Sequence, residues 1–422
     1  MSLGDTPSLS TPLRFLLAAP WFALAAGMLL AWHGDDALAT RWSPVTVALT
    51  HLVTLGFLAM TMAGALLQML PVVAGTGVPA GALVARVAWP ALSGGTLLLV
   101  AALLYGAPGL FSVAAALLAI AFALLAGAFG LALVRRAPRG ALAMVVGMRF
   151  AVAALAITAT LGVMLALFLG GRISVPALAL TDIHAGWGLL GWVLVLVAGV
   201  AYQVIPMFQA TPDYPKQFAF AWPALLAGAL AAWSGATLAA APWSRVAGSA
   251  VALLVLGFAG VTLFLLARRK RPAPDATTLY WRLSMGSLAA CAVLYLWPGM
   301  LPQWRELLLA VLFIAGFAMG AVNGMLYKIV PFLLWYHLQQ QGVPKAKLPS
   351  TQQWIVDGKA KSQFWLHATA TALLCAAVVA PTPLARTAGL ALCAACARLA
   401  FDLWGTALRY RRIARESALE PA

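Results

Sequence analysis

The chain has 422 residues, 63% of them hydrophobic and only 9% charged, against roughly 25% charged in an ordinary soluble domain; this excludes a soluble globular protein. A membrane span needs about 20 mostly apolar residues, so the length has room for about twelve spans with their connections. A net charge of +16 would point to nucleic acid in a soluble protein, but here the basic residues gather at the ends of apolar runs, and no nucleic-acid partner is expected.

In chain order the predicted spans run 14–33, 44–71, 83–106, 109–134, 145–170, 178–206, 219–240, 246–267, 279–298, 304–336, 363–381 and 383–408. The expected fold class is all-α, a polytopic membrane protein forming a single integral membrane domain over 1–422, with the lipid bilayer as its surroundings. Basic clusters follow spans 4, 8, 10 and 12: Arg135, Arg136 and Arg139; Arg268, Arg269, Lys270 and Arg271; Lys345, Lys347, Lys359 and Lys361; and Arg409, Arg411, Arg412 and Arg415. The loops between carry one basic residue each, Arg41, Arg172, Arg245, Arg305 and Arg386. By the positive-inside rule both termini and the polar 338–362 connection are cytoplasmic. The first run, near Arg14, lacks the layout of a cleavable signal and reads as a retained span. Cys291, Cys375, Cys393 and Cys396 all lie in apolar runs, so no disulfide framework is indicated. The Cys393-x-x-Cys396 pair reads as close packing, with redox or metal use as the alternative.

Three segments repeat in register: Gly64-Ala-Leu-Leu-Gln68-Met-Leu-Pro71, Gly199-Val-Ala-Tyr202-Gln203-Val-Ile-Pro206 and Gly324-Met-Leu-Tyr327-Lys328-Ile-Val-Pro331. They fall in spans 2, 6 and 10. An offset of four helices keeps each copy in one orientation, so the expected architecture is three four-helix pseudo-repeats, about 1–140, 141–272 and 273–422, around an axis along the membrane normal.

Ionisable side chains inside a bilayer are costly, which makes them functional candidates. His33, His51 and His184 fall toward the outer face, His337 and His367 toward the cytoplasm. His51 precedes its repeat glycine by 13 residues and His184 by 15, so at about 1.5 Å rise per residue their depths differ by only about 3 Å. Two imidazoles at one level are a candidate ligand pair for haem iron or copper, with His33 as a further metal ligand. Gly188, Gly191, Ala198 and Tyr202 follow His184 at helical spacing, a small-residue trough that would take a flat macrocycle or a neighbouring helix. Gln68, Gln203 and Lys328 share one repeat position and form a candidate polar patch; snorkelling of Lys328 and amide capping are the alternative. Arg398 and Asp402 are spaced for an intrahelical ion pair. Asp35, Asp36 and Asp182 are outer-loop carboxylates near the outer histidines.

The run His51-Leu-Val-Thr-Leu-Gly followed by Gly64-Ala-Leu-Leu-Gln-Met-Leu-Pro71 resembles the second helix of the catalytic subunits of haem-copper oxidases and nitric-oxide reductases. Gly64-Ala-Leu-Leu and Pro71-Val-Val-Ala-Gly75 are also similar to the NnrS-type haem- and copper-containing membrane proteins of nitric-oxide response. The resemblance implies a low-spin haem ligand at His51 and, at His184, a helix that supplies a copper ligand. Span 7 has no His-His pair and 304–320 has no histidine, so a complete binuclear oxygen-reducing centre is not expected.

The leading expectation is therefore a haem- or copper-binding integral membrane protein through His51 and His184, serving electron transfer or nitrogen-oxide or gas response. Its expected location is a bacterial inner membrane, with other membrane or redox subunits as partners. The alternatives are a transporter or permease using the Gln68, Gln203 and Lys328 patch, and a non-catalytic assembly or sensor protein on the same scaffold. Whether the chain is an enzyme is left open.

Overall fold

The computed structural model describes residues 7–73, 75, 77–134, 141–271, 273–297, 299, 304–344 and 348–419; Arg135, Arg136, Arg139, Lys345 and Lys347 lie outside the described residues. Twelve helices are long and apolar enough to cross a membrane. They are α1 Ser10–Leu38, α2 Pro44–Pro71, α3 Gly81–Tyr105, α4 Pro108–Val134, α5 Leu142–Leu169, α6 Ala177–Gln209, α7 Lys216–Leu238, α8 Ser244–Ala267, α9 Ala276–Leu296, α10 Arg305–Gln340, α11 Asp357–Val379 and α12 Pro381–Ser417. The described residues contain no strand. A helix satisfies its backbone polar groups within the segment, which lipid requires because it offers no water to do so. The protein is an integral membrane protein of the all-α class.

Several helices run past their hydropathy limits. The 338–362 segment is only partly a connection, since α10 continues to Gln340 and α11 starts at Asp357. Between them Thr351–Trp354 forms one turn, closed by a reciprocal bond between Ser350 and Gln353. Apolarity ends where water begins, but helical hydrogen bonding continues through polar residues beyond it. At the start of α9, Asp275 accepts from the Thr278 backbone amide at 2.8 Å, a side-chain N-cap.

The helices form three units, α1–α4, α5–α8 and α9–α12, joined in a ring by packing of α4 on α5, α8 on α9 and α12 on α1. In each unit the second helix lies on the first at the repeat glycine. A Cβ on Gly64 would sit 2.8 Å from Phe15 Cβ; on Gly199, 3.3 Å from the Met144 carbonyl; and on Gly324, 2.7 Å from Tyr280 Cβ. Two turns earlier a second glycine makes the same contact, Gly56 against Phe22, Gly191 against Ala154 and Gly316 against Ser287. Absence of a side chain at these six positions lets the backbones approach, the usual basis of helix association in lipid.

Each second helix also contains one π-helical segment, Leu52–Ala59, Trp187–Leu194 and Leu312–Met319. All three start twelve residues before the repeat glycine. The segment of α10 packs against those of both α2 and α6. The widened turns therefore meet at the centre of the ring.

Gly64→Leu and Gly324→Leu are expected to lose about 1–3 kcal/mol each through overpacking. Gly127 of α4 faces open space, so Gly127→Ala should be neutral or gain up to about 1 kcal/mol of helix propensity. Thermal unfolding of the detergent-purified variants checks the contrast.

Candidate functional site

His51 ends the α-helical first part of α2, and its π-helical segment starts at the next residue; His184 lies three residues before the corresponding segment of α6. The two imidazoles come together, ring centroids 6.3 Å apart and planes 15° from parallel. His51 Nδ1 lies 2.8 Å from the Val47 carbonyl, one turn back on its own helix. His184 Nδ1 lies 3.0 Å from the Thr158 carbonyl of α5. A carbonyl oxygen only accepts, so in both rings Nδ1 carries the proton and Nε2 the lone pair. Neither Nε2 has a hydrogen-bond partner among the described residues, and neither is sealed from accessible space. Metal-binding histidines are commonly oriented this way, with the second nitrogen bonded to a carbonyl.

Room for the His184 ring comes from Gly162 of α5, where a Cβ would stand 2.9 Å from the ring Cε1. The small-residue trough below His184 takes α5: a Cβ on Gly188 would be 3.1 Å from Thr158, and one on Gly191 2.9 Å from Ala154. At these two glycines the face is filled by a neighbouring helix, the second of the two expected uses. The π turns change the residue spacing, so faces traced at α-helical periodicity drift past this point.

The other histidines lie elsewhere. His33 is half-buried at the end of the α-helical part of α1; among the described residues no three His, Cys, Asp or Glu side chains converge, so it does not complete a three-ligand group with the pair. His337 bonds the Leu333 carbonyl at 3.0 Å and the Pro7 carbonyl at 3.2 Å. His367 is buried in α11 and bonded at both nitrogens.

The three residues of the candidate polar patch share no hydrogen bond. Gln68 is buried with both amide atoms unpartnered, Gln203 is exposed, and Lys328 pairs with Asp275 at 3.0 Å. Equal repeat positions meet unequal neighbours, so the three share no hydrogen bond. The Arg398–Asp402 pair forms at 3.0 Å, and Tyr327 donates to the same carboxylate oxygen at 3.0 Å. All four cysteines are free; Cys393 packs against Gly27 of α1, where a Cβ would meet its sulfur at 2.8 Å.

Three features lie outside what spacing alone indicates. The Thr158 carbonyl and Gly162 come from α5, whose proximity only the packing reveals. Arg41, from the α1–α2 connection, reaches Asp182 of α6 at 2.8 Å and Glu306 of α10 at 2.9 Å, so one guanidinium bridges the same ends of all three units. The Glu306 contact lacks hydrogen-bond alignment, and exposed pairs of this kind contribute only about 0–1 kcal/mol.

Among the described residues the chain is a membrane protein of twelve long apolar helices, with a close histidine pair between two of its three units. Compared with known proteins, it matches no protein-family model and no curated protein sequence.

Gly162→Ala is expected to displace the His184 ring, since the added Cβ would stand 2.9 Å from its Cε1, read as a shift of the His184 ring signals by nuclear magnetic resonance. At the α9 start, burial pushes the Asp275 carboxyl up, but Lys328 and the Thr278 bonds outweigh it and hold it below its ordinary value. The lowered value stabilises the fold above the ordinary carboxylate range of about pH 4, and the contribution is lost as pH falls through it. Asp275→Asn should lower stability at neutral pH and flatten this acid limb, read by thermal unfolding across pH.

Proposed function

We propose that the chain is a transition-metal-binding integral membrane protein in which His51 and His184 are paired imidazole ligands, with a role in electron transfer or in the response to nitrogen oxides or related gases. The observation that carries this reading is the pair itself: near-parallel rings 6.3 Å apart, each with Nδ1 anchored on a carbonyl. Two imidazoles on opposite sides of one ion, at about 2.0 Å per metal–nitrogen bond, would have ring centres at most about 6.4 Å apart, and bent coordination brings them closer.

The donor set fits copper, since two neutral imidazoles suit a borderline or soft ion. Haem fits less well, because the trough beside His184 is filled by α5. A copper or iron centre would supply one-electron redox chemistry at this position. The chain's own contribution is orientation: Val47 and Thr158 fix the tautomers, Gly162 gives the ring its place, and the surrounding helices limit access of water. A membrane of bacterial inner-membrane type with both termini cytoplasmic is the location that the distribution of basic residues supports.

The detergent-purified protein is expected to contain copper or iron by elemental analysis, with a Soret band only where the iron is haem. His51→Ala and His184→Ala are each expected to lose the metal. A wild type with neither metal nor Soret band, or a double variant that keeps its full metal content, overturns the proposal.

A further inference from the structure

The third unit carries buried polar side chains where the other two carry apolar or small ones. The glycine contacts fix the register: Tyr280 of α9 corresponds to Phe15 and Gly147, Ser284 to Ala19 and Ala151, and Asn323 of α10 to Ala63 and Ala198. The same unit is built twice without these polar groups, so packing does not require them. Polar groups within a membrane are costly and mark function.

They converge on His367 of α11, only 1% exposed. Its Nε2 lies 3.1 Å from the Ala315 carbonyl in the π-helical segment of α10. The carbonyl only accepts, so Nε2 holds the proton and Nδ1 the lone pair. Nδ1 accepts from the Asn323 amide nitrogen at 3.3 Å, while the Asn323 amide oxygen is buried with no partner. This arrangement serves one protonation state and is prepared for the other. A proton on Nδ1 would turn that acceptor into a donor, and a half-turn of the Asn323 amide would present its idle oxygen to receive it.

Each helix packed around His367 brings polar groups. From α9, the Tyr280 ring is 5.8 Å away and its hydroxyl donates to the Gln363 amide oxygen of α11. From α10, Tyr327, one turn beyond Asn323, donates to Asp402 of α12 at 3.0 Å, and Arg398 holds the same oxygen at 3.0 Å. Cys396 of α12 adjoins Tyr280, and Thr371 of α11 bonds the His367 carbonyl. α11 opens with Asp357, Lys359 and Lys361 and turns apolar from about 363, so at about 1.5 Å per residue His367 lies about 6 Å into the apolar stretch, in the half of the bundle nearer the termini.

We propose that His367 is a binding site for one proton within the bundle, reached from the side of both termini past Asp402, Tyr327 and Tyr280, with Asn323 turning its amide to serve both states. The proton passes from water to Nδ1 and gives an imidazolium; Nε2–H stays on the Ala315 carbonyl, and release reverses the step. The site is separate from the His51–His184 pair.

The test is nuclear magnetic resonance of isotope-labelled histidine in the full-length protein in lipid nanodiscs, with the His367 signal assigned by its loss in His367→Gln. The wild-type signal is expected to move reversibly between neutral and protonated forms with pH. Asp402→Asn and Tyr327→Phe should slow its proton exchange by about a hundredfold, the low end of what a positioned proton-transfer group contributes. Asn323→Leu should leave the ring neutral where the wild type titrates. The proposal is overturned if His367 stays neutral at every pH at which the protein remains folded, or if exchange is unchanged in Tyr327→Phe, a variant that keeps the ring and its packing.

Discussion

Helices in lipid gain no hydrophobic free energy by leaving it for one another, because the acyl chains are as apolar as the side chains. What holds this bundle is close contact, and six glycines provide it. Gly56, Gly64, Gly191, Gly199, Gly316 and Gly324 bring α2, α6 and α10 onto α1, α5 and α9 at the same two levels. Those contacts fix the register between units, and the register fixes everything near the axis. His51 and His184 meet because two like-oriented helices are held at matching heights.

The π-helical segments contain the outer of the two glycine levels and, in α2 and α6, follow closely on the histidines. A π turn holds an extra residue and re-aims the side chains around it, and such turns are often found at functional sites. Here they occur in all three units, with histidine beside them in only two. The third unit instead turns the Ala315 carbonyl toward His367. One scaffold device, repeated three times, thus brings two imidazole rings together in one part of the bundle and borders a polar cluster in another.

Much of the architecture is legible in the chain. Apolar runs give the helices, and Gly64, Gly199 and Gly324 give the threefold repeat. The depth match of His51 and His184 follows from counting residues, because a rise per residue tolerates a local change in helix type. Faces do not. The trough at Gly188 and Gly191 is legible as small residues but not by its occupant: of a macrocycle or a neighbouring helix, it is α5 that both glycines meet. The Gly-aromatic pairs at 56–57, 191–192 and 316–317 are the repeated signal within the π segments. The surroundings of Gln68, Gln203 and Lys328 are not legible for another reason: repeat symmetry relates helices but not their neighbours, so one position is buried, one exposed and one ion-paired.

Closure of the ring bears on how the protein is made. Gly27 of α1 and Gly389 of α12 press backbone to backbone; a Cβ on Gly389 would stand 2.5 Å from the Ala31 amide nitrogen. α1 therefore has its mate in a helix made eleven helices later. Until α12 is inserted, the groove around Gly27 faces lipid or whatever insertion factor shelters it, and a chain stalled before α12 presents that groove as a mark of incompleteness to membrane quality control.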